Sequence, residues 1–249
     1  MSRTKSPILR LAWAMRDAAL PPRCMGCDGP ALSTGPLRSL CAHCAHGLWP
    51  IVSTACERCG FLLPVLPSAE RIRCGRCLVR PPAFGSASSA FVHGGPIATA
   101  IVRLKHGDMH HAEGLLDLVE SHEKTPLIES GTRIVPIPLH PRRCRARGYN
   151  QAFLLARALG RRLRCARPLR ALARTRDTPI QPGLSPGQRR RNVQGAFHCR
   201  RLVKGMRVLL VDDVLTTGAT LDAAATALLR AGCVSVDAWT VSRVHAGVP

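Results

Sequence analysis

The stretch Val208-Leu209-Leu210-Val211-Asp212-Asp213-Val214-Leu215-Thr216-Thr217-Gly218-Ala219-Thr220 decides how this 249-residue chain is read. An apolar run followed by two acids fits a buried parallel strand ending at Asp212 and Asp213. The bend Thr216 to Thr220 then leads into LDAAATALLRAG, an Ala/Leu-rich helix stopped at Gly232. A strand, a tight bend and a helix N-terminus present backbone N–H groups and the positive end of a helix dipole to an anion, which suits a phosphate. The threonine hydroxyls add donors, Gly218 allows close approach, and two adjacent carboxylates accept hydrogen bonds from vicinal hydroxyls such as those of a ribose. Taken singly, paired acids after a strand also serve as metal ligands or caps, and Thr and Gly are common turn residues. No GxxxxGK[ST] occurs, so a Walker-type nucleotide site is not a competitor.

The front of the chain carries different chemistry. Four CxxC pairs, Cys24/Cys27, Cys41/Cys44, Cys56/Cys59 and Cys74/Cys77, have the spacing at which both sulfurs of a knuckle reach one ion. They predict two structural Cys₄ zinc sites filled in sequential order, with an interleaved cross-brace as the alternative pairing. A disulfide framework and an iron–sulfur centre are the competing readings; the first wants a secretory signal, which the N-terminus does not resemble. Cys144, Cys165, Cys199 and Cys233 are scattered and read as incidental, and His43 and His46 as surface residues.

Charge is unevenly placed. Of a net +21, residues 133–207 hold 20 basic residues against 1 acidic one, just ahead of the phosphate-type bend. A field like that draws polyanions, pyrophosphate or nucleic acid alike. No apolar run approaches the ~20 residues of a membrane span, so a cytoplasmic location is expected.

Along the rest of the chain the alternation of strand and helix predicts an α/β fold with a mostly parallel sheet and helices on both faces. Strands are expected over Ser86–Phe91, Arg133–Pro138 and Val234–Val241, and helices over Pro96–Lys105, His110–His122 and Gln151–Leu163. A cationic loop from His140 to Asn150 would follow the second strand, where open α/β sheets bind ligands. Thr175–Gln194, rich in Pro, Gly, Gln and Arg, has the composition of a mobile lid. Three units are expected: an amphipathic helix over 1–22, a double zinc ribbon over 23–80 and the α/β domain over 84–246.

The Val208–Thr220 run resembles the phosphoribosyl pyrophosphate (PRPP) signature of type I phosphoribosyltransferases. With the four CxxC pairs, LKHGD, VPIPLHPRRCRARGYNQA and LARTRDTPIQPGLSPGQRRRNVQGAF, nearly the whole chain resembles the ComF/GntX family of competence-associated, phosphoribosyltransferase-like proteins. That resemblance implies an N-terminal double zinc ribbon and a type I phosphoribosyltransferase fold. It implies a cytoplasmic role with incoming single-stranded DNA, beside a competence helicase. Asp212 and Asp213 would then hold the ribose hydroxyls as the catalytic pair, and Thr216, Thr217, Gly218, Ala219 and Thr220 the 5-phosphate. Mg²⁺ would accompany PRPP, and Arg142, Arg143 and Arg147 would neutralise the pyrophosphate. Gln181 and Arg189, Arg190 and Arg191 would close over the site. Ala219 stands where many catalytic relatives carry a second glycine. Lys105 and His106 reach the same pocket or simply lie on a helix surface, and Asn150 caps the helix that follows. No residue declares an acceptor, so three functions compete: a PRPP-binding DNA-uptake protein, a glycosyltransferase of nucleotide salvage, and a zinc-ribbon nucleic-acid adaptor with a vestigial pocket.

Overall fold

The computed structural model describes residues 22–32, 37–52, 54–64, 72–177 and 186–245, without the side chains of Pro186 and Arg189. The helix expected over residues 1–22 falls almost wholly outside them, as does Gln181. In chain order the elements are α1 Ala42–His46, α2 Gly75–Val79, β1 Ala87–Val92, α3 Gly95–Lys105, α4 His111–Ser121, β2 Arg133–Pro136, α5 Pro141–Arg147 and α6 Gln151–Arg162. They continue with β3 Leu172–Arg174, α7 Pro186–Val193, β4 Phe197–Cys199, β5 Arg207–Leu215, α8 Ala219–Arg230 and β6 Ser235–Arg243.

β1, β6, β5 and β2 lie side by side in that order, and every neighbouring pair is parallel. β5 and β6 are central and buried on both faces, which is why Val208–Val211 reads as a continuous apolar run. On one face Leu209, Val211 and Trp239 pack with Ile101 and Leu104 of α3, Leu115 of α4 and Leu155 of α6. On the other, Val208, Leu210 and Val236 pack with Leu221, Ala224 and Leu228 of α8. β3 and β4 form a separate antiparallel pair.

The two cysteine clusters sit on opposite faces of this sheet. Cys24, Met25, Leu40 and Cys44 belong to the core under α3 and α4, whereas Cys56, Cys59, Cys74 and Cys77 belong to the core under α8 with Phe84. Between them the chain crosses the sheet edge: Ile51 N donates to Ala90 O, and Val92 N to Trp49 O. This crossing covers the outer edge of β1, which would otherwise expose unpaired backbone groups. Contact is close enough that a Cβ on Gly60, at φ 68°, would stand 2.5 Å from Ala87 O.

Three expectations need correction. β5 does not end at the acids but runs on to Leu215, because β6 is equally long and pairs Leu215 with Arg243. The cationic loop after β2 contains a helix, α5, whose Arg142 N–H donates to the capping His140 Nδ1 and whose end is turned by Gly148 at φ 83°. Thr175–Gln194 is not a single loop. Its last third forms α7, and the segment as a whole connects the antiparallel strands β3 and β4.

Candidate phosphate and ribose site

The bend after β5 has the electrostatics of an anion seat. Gly218 adopts φ 79°, left-handed backbone that glycine takes without strain, and so starts α8 directly behind Thr217. Among the described residues, the amides of Thr216, Thr217, Gly218 and Thr220 donate to no protein acceptor, and Ala219 N reaches only Thr217 Oγ1, at 3.4 Å. These are the orphan donors of a helix N-terminus, gathered on one bend. Leu215 and Phe84 lie beneath Gly218 and give it an apolar floor.

The two acids upstream are held differently. Asp213 is buried, and its Oδ2 lies 2.6 Å from Lys105 Nζ at the end of α3. Burial alone would raise its pKa, but the Lys105 ammonium outweighs this and holds the carboxyl below the usual value. Asp212 keeps some exposure, and its Oδ1 accepts from the Asp213 amide at 3.0 Å. Burial, then the Asp213 charge, push its carboxyl well above the usual range. The two adjacent carboxyls are thus shifted in opposite directions, as a coupled pair.

Lys105 is itself positioned. Tyr149 Oη donates to Leu104 O and accepts from Gly107 N at 2.9 Å, clamping the backbone on both sides of Lys105. The neighbouring His93 bonds Ser242 Oγ at 2.9 Å, and burial followed by the Lys105 charge lowers its pKa. Asn150 caps α6 through Ala152 N and ties to Ile137 O, the structural task expected of it.

A cationic wall stands over the acids. Arg143 Nε lies 3.2 Å from Asp177 Oδ1, and His140 3.8 Å from the other oxygen of the same carboxylate. The Arg174 pKa is lowered first by burial and then by Arg143, against the attraction of Asp212 and Asp177. Arg174 was not singled out in the sequence: only its pairing beside β4 brings it over β5. Arg147 donates to Gln151, and Arg142 is exposed. Arg190 lines a different cleft of about 540 Å³ between β4 and α8, with Arg80, His198 and Arg230, and Arg191 is exposed. Ala219, the first residue of α8, also lines this cleft.

The cysteines form two groups, Cys24, Cys27, Cys41, Cys44 and Cys56, Cys59, Cys74, Cys77, with all sulfurs of each within 4.8 Å of one another. Pairing is therefore sequential, not interleaved. The separations Cys27–Cys41 and Cys59–Cys74 are both 3.7 Å. Tetrahedral zinc with bonds of about 2.3 Å requires sulfurs about 3.8 Å apart, so the donor sets fit. Backbone amides aim at the sulfurs, Cys44 N at Cys41 and Cys74 N at Cys56. Against the effect of burial, such donors bring the Cys24 and Cys56 thiols down to about 7.

Comparison with known proteins agrees with this construction. The phosphoribosyl transferase domain profile matches residues 150–248, and the double zinc ribbon domain profile matches residues 15–78. The DNA utilization protein YhgH of Escherichia coli O157:H7 is 34% identical over 231 residues, 90% of this chain and 98% of that protein. The chain belongs to the ComF/GntX family. Competence protein F of Haemophilus influenzae is 29% identical over 82% of this chain and 96% of its own length. Competence protein ComFC of Bacillus subtilis is 34% identical over 44% of each chain. The chain therefore joins a phosphoribosyltransferase-type sheet to a double zinc ribbon with two Cys₄ clusters, and no described helix is long and apolar enough to cross a membrane.

Proposed function

We propose that this protein binds PRPP with Mg²⁺ and acts in DNA uptake or utilisation, handling single-stranded DNA in the cytoplasm. The observation that carries the PRPP half is the set of unsatisfied amides on Thr216, Thr217, Gly218 and Thr220, directly after two adjacent acids, one of which is ion-paired to Lys105. In this reading the bend receives the 5-phosphate, and Ala219 begins the helix whose dipole faces it. Asp212 and Asp213 accept the ribose hydroxyls, and Arg143 with Arg174 faces the pyrophosphate. Mg²⁺ would neutralise the diphosphate, bound through substrate oxygens and water more than through protein ligands. Leaving-group charge and the oxocarbenium-like centre would be stabilised by groups already in place.

The DNA half is supported by the names of the relatives, DNA utilization and competence proteins, and by the arginine-lined cleft. Arg80, Arg190 and Arg230 make no ion pair among the described residues. α8 is 12 residues long, about 18 Å, enough for roughly three phosphates of an extended strand. A helicase is the protein partner this role suggests; co-purification of the two from competent cells tests it. Calorimetric titration with PRPP/Mg²⁺ tests the first half, and salt-dependent binding of a single-stranded oligonucleotide tests the second.

A further inference from the structure

Arg243, the last residue of β6, is 3% exposed and has no carboxylate partner among the described residues. Its Nη1 donates to Cys59 O at 2.6 Å, its guanidinium faces the Phe61 ring at 5.5 Å, and its Nε donates to nothing described. An arginine that far from water is strongly destabilising unless an anion balances it. Among the described residues, the anion its surroundings supply is the second cysteine cluster. Zinc held by four thiolates carries a net charge of −2, and Cys59 is one of the four. At the first cluster the arrangement differs: among the described residues no arginine donates to a carbonyl of Cys24, Cys27, Cys41 or Cys44. There Arg23 and Arg103 both turn to Asp28.

The same arginine is joined to the phosphate-type bend. Arg243 pairs in register with Leu215, the residue before Thr216, and Val244 N donates to Leu215 O at 2.9 Å. His93 N donates to Arg243 O at 2.7 Å, which ties β1 into the same knot. Leu215 and Phe84 share one core cluster with all four cysteines of the second site, and both touch the space under Gly218.

We propose that Arg243 is the outer-sphere counterion of the second zinc centre and that, through Leu215, it fixes the Thr216–Thr220 bend to that metal. The zinc half stands on the donor set alone. The functional weight of the bend rests on the PRPP reading above, so the test reads zinc and backbone motion, not ligand.

The protein loaded with two zinc ions is treated with a thiol-reactive mercurial in the presence of a chromogenic zinc chelator. Release is expected in two phases. Cys27→Ser, at the exposed ligand of the first cluster, identifies the fast one. Arg243→Met is expected to accelerate the slow phase by about tenfold or more while leaving the fast phase unchanged. It should also raise amide exchange at Val244 and His93, whose N–H groups donate to Leu215 O at the start of the bend and to Arg243 O. Arg243→Lys keeps the charge without the planar fork and should fall between the two. Should Arg243→Met not fold, release of the second zinc several-fold faster in Arg243→Lys carries the same prediction. Equal slow-phase rates in wild type and variant, or equal acceleration of both phases, overturn the zinc half. Faster release with unchanged exchange at Val244 and His93 overturns the coupling. Both effects in a protein that fails to bind PRPP would leave this inference standing and remove the ligand reading.

Discussion

Lys105 Nζ lies 2.6 Å from Asp213 Oδ2, and this contact sets two adjacent carboxyls apart, with Asp213 held below the usual carboxylate range and Asp212 pushed above it. The partner acid, Asp212, has no lysine or arginine ion pair among the described residues and feels the Asp213 charge instead. A lysine from the first helix of the α/β sheet therefore organises a site on its central strand, 108 positions later in the chain. In a phosphoribosyl site this means that one acid is anchored by a cation, while the other keeps its side chain for the sugar.

Asp212→Asn should stabilise the unliganded protein at neutral pH and abolish PRPP binding. The folded pKa of Asp212 lies above its unfolded value of about 3.9. Its contribution is therefore full below about pH 4 and is lost as pH rises towards the elevated folded value. The amide removes that loss. Thermal melts at pH 7.5 should show the variant a few degrees above wild type, with each kcal/mol worth about 2–4 °C in a chain of this size. A lower melting temperature would contradict the assignment.

Lys105→Met acts with the opposite sign. Asp213 is depressed, so its pairing stabilises above about pH 4 and fades as pH falls through the folded value. Removing the lysine strands a buried carboxylate and should cost about 2 kcal/mol at pH 7, less than a fully buried pair because Lys105 retains some exposure. Denaturant midpoints should converge with wild type towards pH 3. A gap independent of pH would mean that only packing was lost.

Tyr149→Phe removes one hydroxyl that holds Leu104 O and Gly107 N together. The expected loss is about 1–2 kcal/mol in stability, with faster amide exchange at Gly107 and weaker PRPP binding through a looser Lys105. Unchanged exchange at Gly107 would show that the α3 end is held by other contacts.

Replacing Arg80, Arg190 and Arg230 together by Ala should weaken binding of single-stranded DNA. The slope of log K against log salt should shrink by about 2, at roughly 0.7 per phosphate contact on a single strand. PRPP binding should be retained, since Asp212, Asp213 and the bend residues Thr216 to Gly218 do not line that cleft. An unaltered slope places the DNA elsewhere.

Much of this arrangement was readable because local chemistry specifies it. CxxC spacing, the apolar run to Val211 and the Thr-Thr-Gly bend each allow few structures, and the fold keeps them. The expected cap at Asn150 is present for the same reason. What the sequence concealed depends on long-range pairing. Lys105 looked like either a pocket residue or a helix surface, and only the α3–β5 packing shows that it meets Asp213. Arg174 comes over the acids because β3 pairs with β4, two three-residue strands with no period of their own. Arg190 turns to α8 because α7 packs against that helix, a placement that its run of three arginines does not announce. The separation of the zinc clusters onto opposite faces follows from Trp49–Ile51 crossing the β1 edge, where composition gives no signal.

The most direct measurement is isothermal calorimetry of PRPP with Mg²⁺ against the zinc-loaded protein, run in parallel on Asp212→Asn and on Gly218→Val. Gly218→Val forces a β-branched residue into left-handed backbone. A single saturable site in wild type, lost in both variants while their melts remain cooperative, is the predicted result. Absence of heat in wild type at millimolar PRPP, or undiminished binding in both variants, would contradict it.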